Sequence, residues 1–210
     1  MSMSVEQFLS LSDTEQLQTI KDLNDIGQEE IIIDVLTGVG IDNLSVPLLG
    51  ELGRAYNNND KPEEAIKVFK TIDTEHRDAV WHYRCAYSHG SIASTNHEAY
   101  TSENMQQMLA LVDNGVQLAT KEDRNDIKEY CFEVMNMCRL QMDFEKCEVD
   151  YPDLCLNYSK YIAEKKKKRE GVSRQRTITV EEILATDDMW TINEPAYWTI
   201  NIYGSYDNYL

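Results

Sequence analysis

The amino-acid sequence predicts a mainly all-α chain of antiparallel helix pairs in tandem, followed by a short segment that contains a β-strand. Three observations carry this reading. Apolar residues recur at helical spacing from Ser12 to about Arg169, punctuated by capping and turn residues. Two short helical patterns stand back to back in LLGELGRAYNNNDKPEEAIKVFKTI, from Leu48 to Ile72, joined by a polar turn. After Gly171 the period changes, and AYWTINIYGSY alternates as a strand does. The chain is therefore divided into N-terminal helices (1–44), tandem helix pairs (45–170) and an acidic, aromatic tail (171–210).

Ser12 and Glu15 form a capping box ahead of a helix whose Leu17, Ile20, Leu23 and Ile26 share one face. Gly27 ends that helix. QEEIIIDVL is read as a buried helix, because its acidic start suits a helix N-terminus better than a strand. TGVGIDN is a turn, and Pro47 sits in the first turn of the next helix, where its missing N–H costs little. NNND breaks the chain and Pro62 restarts it, with Ala65, Ile66 and Phe69 on the apolar face. RDAVWHYRCAYSHG is a further helix, SIASTNHEAYTS a loop, and ENMQQMLALVDNGVQLA and DRNDIKEYCFEVMNMCRLQM two more helices. DLCLNYSKYIAEKKKKRE completes the helical part, which Gly171 closes. In the tail, Thr179 and Glu182 cap a short helix, VEEILA. Trp198, Ile200 and Ile202 then face one side of a strand, and Tyr197, Thr199, Asn201 and Tyr203 the other.

Helix pairs with a period near 34 residues mark helical repeats. In the quoted pair Leu49, Leu52, Gly53, Tyr56, Ala65 and Phe69 occupy defined packing positions. Gly53 and Ala65 are small where two helices cross closely, while Leu52, Tyr56 and Phe69 fill the space around the crossing. On these residues the stretch from Val46 to Asp73 resembles a tetratricopeptide repeat. Ala86 falls 33 residues after Gly53, and His82 and Cys85 stand where Leu49 and Leu52 stood. Met108, Val112 and Gly115 resemble the small and apolar positions of a second helix, reached through a loop longer than the repeat's own. A third unit, Asn125 to Ala163, is a helix pair of the right size, with Phe144, Glu145 and Cys147 at its turn. The resemblance implies a right-handed solenoid whose groove takes peptides or protein surfaces. It places Arg54 and Asn57 on that groove in the first unit, and Tyr83, Arg84 and Tyr87 in the second. Members that grip a C-terminal carboxylate use a Lys and an Asn one turn apart. Here those places hold Gly50 and Arg54, then Tyr83 and Tyr87, so capture of chaperone tails is not expected. Aromatic lining instead suits an apolar or basic segment.

The chain has 20 basic and 37 acidic residues, a net charge of −17 and a pI of about 4.5. Such a surface repels nucleic acid and anionic membranes and suits a basic partner or high solubility. EKKKKRE is the one basic run and is read as support for a helix C-terminus. MSMSVEQFLS has neither a basic start nor an apolar run, and no stretch approaches a membrane span. A cytoplasmic protein with reduced thiols is therefore expected. Cys85, Cys131, Cys138, Cys147 and Cys155 lack a C-x-x-C spacing, and their odd number argues against a disulfide framework.

His82, Cys85 and His89 share one helical face and, with His97, have the residue types of a zinc site. Because His82 and Cys85 coincide with packing positions of the repeat, they are read as core residues instead. No phosphate-binding glycine loop and no nucleophile elbow appear. Paired acids such as Glu29–Glu30, Glu63–Glu64 and Asp187–Asp188 are read as helix starts and solvated faces. The expected protein is non-catalytic, without cofactor or metal, and works by binding a protein or peptide. Its sharper form is an acidic antagonist, an immunity protein or secretion chaperone that masks a basic partner. Two other readings stand beside it. One is a scaffold that self-associates through the C-terminal strand. The other is a metal-dependent or hydrolytic enzyme built on His82, Cys85 and His89.

Overall fold

A computed structural model describes residues 3–175, and almost all of them are helical. In chain order the α-helices are α1 (Val5–Leu9), α2 (Asp13–Asp25), α3 (Glu29–Val39), α4 (Val46–Asn58), α5 (Pro62–Lys70), α6 (Ala79–Thr95), α7 (Glu103–Lys121), α8 (Asn125–Met137), α9 (Phe144–Asp150) and α10 (Pro152–Gln175). Two short 3-10 turns, Ile41–Asn43 and Thr74–His76, complete the set among the described residues. The chain divides into two compact units, Met1–Ile162 and Ala163–Leu210. The described part of the second, residues 163–175, is helical throughout.

Local chemistry explains most boundaries. Ser12 accepts from the Glu15 N–H while the Glu15 carboxylate takes the Ser12 N–H at 2.9 Å, so the capping box opens α2 as the spacing predicts. Asp78, Ser102 and Asp143 cap α6, α7 and α9 with the side-chain acceptor alone. Four helices end alike. After α2, α4, α6 and α7 comes a residue of left-handed φ, namely Gly27, Asp60, His97 and Asp123. The following N–H then reaches back five residues to Leu23, Tyr56, Ala93 and Ala119 at 2.8–2.9 Å. This 6→1 bond satisfies a carbonyl the helix leaves open and turns the chain sharply. Pro47 and Pro62 stand in the first turns of α4 and α5, as expected.

Packing sets the order of neighbours. Each helix from α2 to α7 contacts its successor, and α2, α4, α6 and α8 also contact one another in sequence. Two apolar cores result. One gathers Phe8, Ile20, Ile32, Leu36, Leu49, Leu52, Ala65 and Phe69 with Trp81 and Cys85 of α6. The other joins Ala79, Ala86 and Ala93 of α6 to Met105, Met108, Leu109 and Val112 of α7, and on to Cys131, Met135 and Leu154. The N-terminal helices thus share one core with α4 and α5. Leu52, Ala65 and Phe69 are completely buried, Leu49 nearly so, and Tyr56 packs at the edge. Ala86 is fully buried in the second core.

Several expectations are corrected. An unforeseen α1 is opened by a capping box of Ser4 and Gln7 and seats Phe8 in the core. The turn before α4 starts at Gly40, φ 92°, because α3 continues through Thr37 and Gly38. Gly38 lets α1 approach, as a Cβ there would lie 2.6 Å from a Val5 methyl. The segment read as a loop from Ser91 is helical through Thr95, since Ile92 and Ala93 are buried and outweigh the polar composition. α8 stops at Met137, earlier than the pattern implied. Phe144, Glu145 and Cys147 lie in α9 and not in a turn, because Asp143 caps that helix and Cys147 anchors it in the core. Gly171 lies inside α10, which runs to Gln175. A single glycine costs a helix about 1 kcal/mol, too little to stop one by itself. The expected VEEILA helix and the strand at 196–203 lie outside the described residues.

The crossing of α4 and α5 is the tightest point that the sequence anticipates. A Cβ at Gly53 would overlap the Phe69 ring, whereas one at Gly50 would meet only the Arg84 guanidinium at 3.5 Å. Alanine favours a helix over glycine by about 1 kcal/mol, and overpacking costs about 1–3 kcal/mol. Gly53→Ala is therefore expected to lower unfolding stability by about 1 kcal/mol or more. Gly50→Ala should raise it by about 0.5 kcal/mol. Urea unfolding of the two variants against the parent chain reads both signs.

Candidate functional site

Because even-numbered helices pack on one another, one side of the first unit is lined by α2, α4, α6 and α8. Two adjoining clefts run along it. The first, about 430 Å³, lies among α2, α4, α6 and the turn at His76. The second, about 510 Å³, lies among α4, α6 and α8. Arg54, Val80 and Arg84 border both.

The floor is a charged network centred on Glu51, a carboxylate whose side chain is only 7% exposed. Arg84 donates to it at 3.0 Å and to the Gly50 carbonyl at 2.9 Å. Arg54 lies 3.5 Å from the same carboxylate and donates to Asp25 at 2.9 Å. The Asn24 amide donates to Glu51 as well, at 2.8 Å. A buried carboxylate is tolerable only when paired and hydrogen-bonded in this way. α2, α4 and α6 are therefore tied together under the cleft by one acid. Below it, the Asn57 amide donates to the Arg84 carbonyl at 3.0 Å and accepts from the Ser88 hydroxyl at 2.7 Å.

The wall of the second cleft is aromatic. Tyr83 of α6 stacks on Tyr130 of α8, with centroids 5.2 Å apart and planes 26° from parallel. Tyr87 and Ile127 extend this surface. Burial raises the Tyr83 hydroxyl pKa, and the neighbouring Tyr87 adds to the effect. At the rim Arg124 forms a two-bond pair with Asp126, at 2.9 and 2.8 Å, which holds that carboxyl at about 2. Offset aromatic faces beside guanidinium groups offer stacking, cation–π contact and hydrogen bonds to an extended chain.

All five groove candidates border the second cleft: Arg54, Asn57, Tyr83, Arg84 and Tyr87. Their freedom differs. Asn57 is buried and its amide is engaged on both sides by α6, so it joins helices. Arg84 is mostly buried and bound to α4, while Arg54 is about one third exposed. Tyr130, Ile127, Arg124 and Glu51 were not foreseen as cleft residues. Tyr130 lies on α8, where no repeat pattern marks an inward position, so spacing alone carried no signal.

His82, Cys85 and His89 do not converge. The His82 ring bonds the Asp78 carbonyl at 2.9 Å. Cys85 is buried in the first core, which pushes its thiol pKa up to about 12. His89 bonds Asn104 at 2.9 Å, and burial lowers its pKa. His97 stands against Gln141 at 3.4 Å. Among the described residues no three His, Cys, Asp or Glu side chains are grouped to hold a metal ion, and no helix is long and apolar enough to cross a membrane.

Comparison of the chain with protein-family models, with curated proteins and with solved structures found no match. The described residues accordingly define the class: helices packed in neighbouring pairs, with a cleft along α2, α4, α6 and α8.

Removing the central acid while leaving its partners in place is expected to be costly. Glu51→Ala strands Arg84 and Arg54 against a partly dry floor and should lower stability by about 3 kcal/mol, with a smaller loss for Glu51→Gln. Thermal and urea unfolding measure both. His89 gives a pH dependence of known sign. Its folded pKa is lowered, so the unfolded chain binds the proton more readily. Stability is then complete above the unfolded histidine value of about 6.5 and falls as pH drops below it. His89→Gln should remove that part of the loss below about pH 6.5, read as a flatter plot of Tm against pH.

Proposed function

We propose that this chain is a non-catalytic binding module of tetratricopeptide-like helical repeats that holds a protein or peptide segment in the cleft lined by α4, α6 and α8. The observation that carries this reading is the alternating packing of the helices, which sets Arg54, Tyr83, Arg84, Tyr87 and Tyr130 along one side. In a right-handed solenoid of helix pairs the first helix of each pair lines the groove, and α4, α6 and α8 would fill that role. The stacked tyrosines supply rigid, amphipathic contact area, the kind that anchors binding surfaces.

A protein partner of basic character is the sharper form, with the chain as an antagonist of the immunity-protein or chaperone type. The net charge of −17 supports it through long-range attraction. Within the cleft the carboxylates of Asp25, Glu51 and Asp126 are matched by Arg54, Arg84 and Arg124. The attraction therefore comes from the remaining surface, and the tyrosine wall supplies the short-range contact. The five unpaired cysteines suit a cytoplasmic location.

Affinity purification of the tagged chain from its native host, at low and moderate salt, identifies a stoichiometric partner. Binding of that purified partner to the double variant Tyr83→Ala/Tyr130→Ala then tests the cleft. A Kd raised at least about tenfold is expected at a temperature where the variant is still fully folded, since truncated aromatic anchors commonly cost about 2 kcal/mol. Affinity that also falls steeply with salt supports the basic partner. Undiminished binding by the double variant would move the interface off this cleft.

A further inference from the structure

The five cysteines are all buried and unpaired, and three of them are accounted for by packing. Cys85 sits in the first core, Cys138 donates to the Gly90 carbonyl at 3.3 Å, and Cys131 fills the space beside Gly115. Cys147 and Cys155 differ: their sulfurs are 3.1 Å apart, with the Cys155 thiol donating to Cys147. They belong to different helices, α9 and α10, on either side of Tyr151. Cys147 is the one buried residue of α9. Besides it, this seven-residue helix is held by its Asp143 cap, by Phe144 stacked on Tyr158 with centroids 6.1 Å apart, and by the Tyr100 hydroxyl, which donates to Asp150 at 3.0 Å.

We infer that Cys147 and Cys155 form a dithiol modification site that low-molecular-weight disulfides oxidise to a single intramolecular disulfide, stapling α9 to α10. A disulfide needs its sulfurs at about 2.05 Å, so closure asks for an approach of about 1 Å, within the reach of small side-chain rotations. The chain supplies two thiols and the co-reactant one disulfide. Cys155, 4% exposed against 0% for Cys147, is the entry point. Its thiolate, formed by loss of a proton to solvent, attacks one sulfur of the small disulfide and expels a thiolate. The Cys147 thiolate, likewise deprotonated, then attacks the Cys155 sulfur and expels the second. Two protein thiols are oxidised by two electrons, one disulfide is reduced to two thiols, and the two protons end on the leaving groups. Burial raises both thiol pKa values, so the native chain resists adventitious oxidation and reacts through brief opening of the short α9. None of the cleft helices α4, α6 and α8 carries either sulfur, so the staple leaves the binding surface in place.

The full chain treated with oxidised glutathione, then denatured and mapped by mass spectrometry, tests this. Expected are a mass lower by about 2 Da, a drop from five free thiols to three, and a peptide joining Cys147 to Cys155, all reversed by dithiothreitol. Cys155→Ser should abolish the link, and so should Cys147→Ser. Cys85→Ser and Cys138→Ser should keep it. Should the serine variants fail to fold, the peptide map of the parent chain still decides. Five thiols persisting while a urea-unfolded control is oxidised would overturn the inference. So would a link between any other pair, or glutathione adducts that stay on both cysteines without closing.

Discussion

Helix α6 must pack on both sides at once, and the rest of the described fold follows from how it does so. One face carries Ala79, Ala86 and Ala93 at seven-residue spacing. Small side chains there let α7 lie close, Gly115 of α7 admits His82 of α6, and Gly90 makes room for Val134 and Met137 of α8. The other face presents Trp81 and Cys85 to the core of α1–α5. The Trp81 indole N–H donates to the Phe69 carbonyl at 3.1 Å, tying α6 to the end of α5. A helix with two apolar faces and little bulk on one of them can stand between two cores without splitting them into separate domains.

Between those faces α6 carries a polar strip, and there the cleft and the fold are coupled. Arg84 crosses to Glu51, and Ser88 reaches Asn57. These bonds fix the rotation of α6 against α4, because an apolar contact alone tolerates sliding and a buried carboxylate does not. That same rotation turns Tyr83 and Tyr87 outward toward α8. The tyrosine wall is thus a consequence of where a buried acid finds its guanidinium.

The opening pair, Leu48 to Ile72, was legible residue by residue, since Gly53, Ala65 and Phe69 interlock within one local motif. Boundaries set by capping residues were legible for the same reason: Ser12 and Glu15 act within one turn. Segments whose state depends on distant burial were not. Ser91 to Thr95 looks like a loop by composition, yet Ile92 and Ala93 have a core to enter. His97 ends α6 in a left-handed conformation usual for glycine or asparagine, so its residue type carried little warning. Cys147 has no local feature that marks it as the anchor of α9. Among the cleft residues, Arg54, Asn57, Tyr83, Arg84 and Tyr87 were foreseen through the repeat resemblance and Glu51 was not, while Tyr130 and Arg124 enter from a helix pair that the resemblance barely covers.

By itself the sequence determined the helical class of the described chain, the places where most helices begin, the tight α4–α5 crossing and the strongly acidic charge. These depend on periodicity, caps, side-chain size and counting, all of which act locally or sum over the chain. Tertiary structure alone decided which histidines and cysteines meet, which of the predicted groove residues are engaged inside, and which face joins α8 to the cleft. Those outcomes depend on the relative rotation of helices far apart in sequence, set by the pairing of Glu51 with Arg84 and Asn57 with Ser88. No short-range pattern encodes a bond between residues that stand more than thirty positions apart.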